Sequence, residues 1–115
     1  MQKNKQDGLV EVVSVYDGDT FKVNLTGENP IFGESLSIRL RGIDTPEIRG
    51  GTEESKARAI EARDFLSNML SGNVVTIHNL ERGKYFRIVA DVKAGGIDVV
   101  QVMLKRGLGK PYDVK

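Results

Sequence analysis

Apolar and polar positions change period along this chain, and the changes divide it into strand-like and helix-like stretches. Leu9 to Tyr16 is rich in valine and Thr20 to Leu25 alternates apolar with polar residues. Asp17-Gly18 between them is a tight-turn signal, so the pattern predicts a hairpin. Gly27 to Gly33, with Asn29-Pro30 inside it, predicts a loop. Leu36, Ile38 and Leu40 then alternate with Ser37, Arg39 and Arg41, as a half-buried strand requires, which would put both arginines on one face. Pro46 cannot donate to a ladder, so that strand is expected to end near Asp44, facing a loop.

From Thr52 the period lengthens. Ala59, Ala62, Phe65, Leu66, Met69 and Leu70 recur every three or four residues, with Glu53 and Glu54 in a favourable first turn, and predict an amphipathic helix closed by Gly72. Val74 to Ile77 and Phe86 to Val92 are strand-like and are joined by a polar loop containing Arg82-Gly83-Lys84; Gly95-Gly96 makes the next turn. A short second helix follows, with Asp98 as N-cap, Val99, Val102, Met103 and Leu104 as its apolar stripe, Lys105 and Arg106 in its last turn and Gly107 as its stop. About five short strands with a helix between the third and fourth predict a mainly β, five-stranded barrel of the oligonucleotide/oligosaccharide-binding (OB-fold) type; an open α+β sheet is the alternative.

The 115 residues fit one domain with a single modest core, and 39% apolar with 29% charged residues is ordinary for a globular chain. We expect a flexible segment over 1–8 and one domain over 9–115. The absence of cysteine excludes disulfides, thiolate-bound zinc, iron–sulfur clusters and a cysteine nucleophile, and a lone histidine, His78, excludes a multi-histidine metal centre. Oxygen ligands remain. The polar start, Met1 to Asp7, and the lack of any apolar run near the roughly 20 residues that span a bilayer lead us to expect no membrane association. The expected location is the cytoplasm if Met1 is the native start, or outside the cell if a signal peptide has been removed. A net charge of +1 is too small to imply a polyanionic partner, although Lys105, Arg106, Lys110 and Lys115 bias the C-terminal stretch to basic.

Two acidic clusters, Asp17-Gly18-Asp19-Thr20 and Asp44-Thr45-Pro46-Glu47, each follow a strand-like run. Calcium and magnesium prefer carboxylate and carbonyl oxygens, which Asp19, Asp44 and the Thr45 backbone carbonyl offer. Taken singly, each tetrapeptide is as well explained as a turn. Hydrolysis of a phosphodiester also needs positive charge on the equatorial oxygens and an acceptor for the proton of the attacking water. Arg39 and Arg87 suit the first task, because a guanidinium fork can hold two phosphate oxygens; Glu47, three residues beyond Asp44, suits the second. His78 reads as a rim residue rather than a substrate contact.

Read in order, Asp17-Gly18-Asp19-Thr20, Ile38-Arg39-Leu40-Arg41-Gly42-Ile43-Asp44-Thr45-Pro46-Glu47, Lys84-Tyr85-Phe86-Arg87 and Leu104-Lys105-Arg106-Gly107-Leu108 resemble the staphylococcal-nuclease-like (thermonuclease) family over nearly the whole chain. The resemblance implies a five-stranded barrel with helices and a monomeric, Ca2+-dependent nuclease that cuts DNA and RNA to leave 3′-phosphates. Position by position, it implies Asp19, Asp44 and the Thr45 carbonyl as calcium ligands and Arg39 with Arg87 as the phosphate-stabilising pair. Glu47 matches the general base, with electrostatic and water-positioning roles as alternatives. Asp17 falls in a supporting position, and Lys84 and Tyr85 match contacts to a terminal phosphate. Tyr112 is a candidate base-stacking surface, with simple packing as the alternative.

This chain departs from the family pattern in three ways. Phe86 stands where the family has glycine, and Gly83 where it has an acidic residue, so the loop presenting Arg87 is expected to differ in shape. We expect the family's helix-rich C-terminal extension to be missing, since the sequence stops just after Pro111-Tyr112-Asp113, and the segment between Glu47 and the first helix is short. Two rival readings remain at this point: a catalytically silent barrel that binds nucleic acid or protein, and a barrel that binds calcium for structural reasons alone.

Overall fold

A computed structural model describes residues 8–25 and 35–112 of the chain. The expected hairpin is formed by β1 (Gly8–Asp17) and β2 (Thr20–Leu25), whose end residues Asp17 and Thr20 pair directly. Its turn is therefore centred on Gly18-Asp19, one residue later than the Asp17-Gly18 signal suggested. Packing sets this register: a Cβ on Gly18 would lie 2.7 Å from the Ala62 Cβ and 2.8 Å from the Thr45 hydroxyl, so only glycine lets the turn dock there. The pairing of β1 with β2 shifts between Val12 and Ser14 and again between Val15 and Asp17, irregularities that bend a strand enough to curl a sheet.

β3 (Leu36–Leu40) pairs antiparallel with β2 and parallel with β6 (Ile88–Ala94), while β6 pairs with β5 (Val75–Arg82) and β5 returns to the start of β1. The circuit β1–β2–β3–β6–β5 closes, so the sheet is a barrel and the open α+β alternative is excluded. Phe21, Val23, Ile38, Leu40, Ile77 and Val92 fill its interior. The predicted third strand ends earlier than expected, at Leu40; the chain turns at Arg41-Gly42 and resumes as β4 (Ile43–Asp44) in a separate two-stranded ladder. That turn parts the two arginines expected to share a face.

α1 (Glu53–Leu70) starts where the sequence pattern put it. Thr52 and Ser55 form a reciprocal capping box, each side chain accepting the other residue's backbone N–H at 3.1 and 3.0 Å. Ala59, Ala62, Leu66 and Leu70 are buried, with Phe65 and Met69 packed at the edge of the core. β5 runs five residues past the predicted end at Ile77, because a register irregularity between His78 and Glu81, with Asn79 at φ 55°, absorbs a polar stretch that shows no alternation. Phe86 is not in a strand: it ends a 3-10 turn, Lys84–Phe86, and the strand begins at Ile88. After Gly95-Gly96, β7 (Ile97–Asp98) leads into α2 (Val99–Lys105), capped by the Asp98 carboxylate on the Gln101 N–H at 3.1 Å.

α2 ends with the Gly107 N–H on the Leu104 carbonyl and the Leu108 N–H on the Met103 carbonyl, both at 3.1 Å, a Schellman motif that reverses the chain. Gly109 then passes so close to β4 that a Cβ would meet Ile43 at 2.7 Å and the Asp44 carbonyl at 2.8 Å. This contact lets β8 (Lys110–Pro111) pair with β4 and carries Tyr112 to the barrel mouth, its N–H on the Gly42 carbonyl at 3.1 Å. The expected loop over 27–33 and residues 1–7 of the expected flexible segment over 1–8 lie outside the described residues; Gly8, the last residue of that segment, is instead the first residue of β1, paired with Ile77.

Candidate active site

The separated motifs meet at one end of the barrel. A cleft of about 550 Å³ is lined by Asp17, Asp19, Arg39, Asp44, Glu47, Lys84, Arg87 and Tyr112, together with Glu81, Arg82, Gly83 and Val89. The β1–β2 turn supplies the first two acids, β3 the arginine, the end of β4 and the loop after it the next two acids, and the 3-10 turn the second set of cations.

Asp19 is buried and held from three sides. Its Oδ2 accepts the Thr45 N–H at 3.0 Å, its Oδ1 accepts the Thr20 hydroxyl at 3.1 Å, and its backbone carbonyl accepts the Leu40 N–H at 2.9 Å. Asp17 accepts the Asp19 N–H at 3.3 Å. Burial, and then the neighbouring Asp19 carboxylate, push the Asp17 carboxyl up from 3.8 to about 7.

Arg39 is only 8% exposed. Its Nη1 donates to the carbonyls of Leu40 and Ile43 at 2.9 and 2.7 Å, and these bonds fix the plane of the guanidinium. The carboxylates of Asp19 and Asp44 each approach it to 3.6 Å, one on each Nη atom, which is ion-pair distance but too long for a hydrogen bond. Nη2 and Nε make no hydrogen bond among the described residues. The face of Tyr112 lies 5.5 Å from the Arg39 guanidinium carbon, a cation–π contact that roofs this side of the cleft.

Arg41, past the end of β3, leaves this cluster. It bonds the Asn79 carbonyl at 2.6 Å and pairs with Glu81 and Asp91, both at 3.0 Å. Burial pulls its pKa down, but the bonds to the two acids outweigh that and the net direction is up.

Of the residues singled out in the sequence, Asp19, Asp44, Arg39, Glu47, Arg87, Lys84 and Tyr112 all line the cleft. Thr45 is buried outside that lining, with its hydroxyl packed beneath Gly18, and it contributes to a second cavity of about 370 Å³ lined also by Asp44, Arg58 and Lys110. Its hydroxyl has no hydrogen-bond partner among the described residues. The Tyr85 side chain lies outside the described residues. His78 bonds the Thr76 hydroxyl at 2.9 Å and lies away from the cleft, in line with the rim reading. Arg106 stacks over Phe65 at 5.0 Å, a packing role for one member of the basic C-terminal stretch. Arg82 is a cleft cation the sequence reading passed over as loop; it is the last residue of β5, two before Lys84.

The donor set tests which metals the site fits. Among the described residues, no group of three or more His, Cys, Asp or Glu comes together to form a metal cage. Two carboxylates converge instead on one guanidinium, beside backbone and open cleft. That set suits a hard cation that completes its shell with carbonyl oxygen and water, as calcium and magnesium do, and does not suit a metal that needs nitrogen or sulfur.

A family model described as staphylococcal nuclease homologue matches residues 37–115. The chain belongs to the staphylococcal nuclease family. Similar relatives of this family member include the probable endonuclease LCL3 of Verticillium alfalfae, 34% identical over 96% of this chain and 46% of that protein. A probable endonuclease of Schizosaccharomyces pombe is 30% identical over 89% of this chain and 54% of its own length. The probable staphylococcal-like nuclease CAN4 of Oryza sativa is 35% identical over 70% of this chain and 15% of its own length. This staphylococcal nuclease domain thus spans about half, or less, of the curated relatives it matches. Its closed five-stranded barrel, with two helices among the described residues, is the architecture the family resemblance implied.

Proposed function

We propose that this domain is a calcium-dependent nuclease that hydrolyses phosphodiester bonds of DNA and RNA and leaves 3′-phosphates. The observation that supports this reading most is the Arg39 guanidinium, anchored by two backbone carbonyls and held 3.6 Å from two acids, with the rest of its fork toward the cleft free of hydrogen bonds among the described residues. A buried arginine that served only as a salt bridge would close on its carboxylates at hydrogen-bond distance.

Asp19, Asp44 and the Thr45 carbonyl would hold the cation, which when bound supplies positive charge and Lewis acidity beside the scissile phosphate. Arg39 and Arg87 bind the non-bridging phosphate oxygens and stabilise the charge that grows on them during in-line attack. Glu47 orients the attacking water and takes its proton. The new P–O bond forms as the bond to the 5′ oxygen breaks; that oxygen takes a proton from solvent water as it leaves, and the phosphate stays on the 3′ oxygen. Lys84 and Tyr85 grip a terminal phosphate, and Tyr112 offers a face to a base. Asp17, raised to about 7 by burial and the neighbouring Asp19 when no cation is bound, carries less than a full negative charge against the phosphate near neutral pH.

Cleavage of single-stranded and duplex DNA, assayed with calcium, with EDTA, and with Glu47→Ser, tests the reading. Chelation should abolish cleavage, and the substitution should lower turnover at least about a hundredfold, the scale of a general base. Cleavage that ignores chelation, or that survives Glu47→Ser, would refute the mechanism. Binding without cleavage would favour the silent barrel.

A further inference from the structure

Phe86 combines two costs and shows no folding gain. Its backbone sits at φ 60°, the left-handed region that a bulky side chain adopts only under constraint. Its side chain is 96% exposed, so almost none of its apolar surface is removed from water. The constraint comes from the loop: the Gly83 N–H bonds the Arg87 carbonyl at 2.8 Å and the Arg87 N–H bonds the Lys84 carbonyl at 3.2 Å, which ties the turn into a closed ring. Gly83 makes that ring possible, because a Cβ there would lie 2.8 Å from Val89 and 3.2 Å from the Arg87 carbonyl. The two departures from the family pattern are thus one structural feature, a tight ring that displays a phenyl group.

The segment that carries that phenyl is rich in cations. Arg82, Lys84 and Arg87 come from it and line the cleft, opposite the acids Asp17, Asp19, Asp44 and Glu47 and next to Glu81. A phosphate chain drawn to those cations brings its bases within reach of the turn. A neutral aromatic face on the same short segment as those cations suits a base, which has a π face of its own. Bases in a duplex have both faces covered by their neighbours, whereas a single strand can splay one out.

We infer that Phe86 is a specificity-determining residue that stacks on a base of single-stranded nucleic acid, an inference that rests on the nuclease reading above. Phe86→Gly relieves the left-handed constraint, so the variant folds, and an unchanged or raised melting temperature checks this. Binding is read in EDTA, without cleavage, by fluorescence anisotropy with three probes: a labelled oligothymidine strand, a strand of the same length made of abasic sites, and a duplex. Phe86→Gly should weaken the thymidine strand about tenfold, the scale of one lost stacking contact, and change the abasic strand and duplex by less than about twofold. Phe86→Trp should bind the thymidine strand at least as well as the wild type. Unchanged affinity of Phe86→Gly for the thymidine strand overturns the inference, as does an equal loss on all three probes. If the wild-type protein cleaves DNA with calcium but Phe86→Gly shows no base-dependent loss, the stacking role alone falls. If it neither binds nor cleaves any strand, the nuclease reading falls and the stacking role with it.

Discussion

Arg41 donates to the Asn79 carbonyl at 2.6 Å and meets two acids at 3.0 Å, while Arg39, two residues earlier, is kept 3.6 Å from each of its acids and tied instead to backbone carbonyls. The first is a pin: it joins the end of β3 to β5 and β6, with its charge satisfied by Glu81 and Asp91. The second is nearly buried yet electrostatically unfinished. On the proposed function, two identical side chains on one short segment serve closure and chemistry, and the distance to the nearest carboxylate separates the roles better than burial does. A group that is to receive a phosphate must not already be closed on a protein anion.

Exchanging the two arginines for alanine should separate them most sharply. Arg39→Ala is expected to lower turnover at least about a hundredfold, the usual cost of removing a transition-state charge partner, while Arg41→Ala leaves turnover near wild type. Steady-state kinetics on both variants would show it, and equal losses would erase the distinction. Gly18→Ala should destabilise the fold by about 1 to 3 kcal/mol in chemical denaturation, because its methyl group would enter space held by Ala62 and Thr45 and disturb the turn that presents Asp19. Arg41→Ala should cost about 1 kcal/mol in the same experiment, since its pairs are partly exposed. Stability should also depend on pH. With EDTA present, folded Asp17 holds its proton up to about 7 against 3.8 when unfolded, so stability should fall as pH rises across that window and level off above it. Asp17→Asn should flatten this slope; an unchanged slope would place its origin elsewhere.

Much of this arrangement was legible before any coordinates. Period-two alternation found the strands around Phe21 and Ile38, and the three-and-four spacing of Ala59, Ala62 and Leu66 found α1, because burial on one face leaves a repeat that a sequence displays directly. The residues that line the cleft were legible through a different signal, short motifs in a fixed order. What stayed hidden was set by contacts between distant segments. The hairpin turn moved by one residue because Ala62 and Thr45 pack beneath Gly18, and β5 outran its apolar run because a bulge at Asn79 breaks the alternation. Phe86 read as the start of a strand by its hydrophobicity, whereas the ring closed between Gly83 and Arg87 turns it outward into the left-handed region. Arg82 was hidden for the same reason as the extra length of β5.

The central claim is that Arg39 and the acids at 19 and 44 form one ion-and-phosphate site from which Arg41 is excluded. Its most direct test is a calcium titration of single-turnover cleavage for the wild type, Arg39→Ala and Arg41→Ala. The account predicts that calcium switches on cleavage by the wild type and by Arg41→Ala, while Arg39→Ala stays near the metal-free baseline at every concentration. Full calcium-activated cleavage by Arg39→Ala, or a wild-type rate indifferent to calcium, would contradict it.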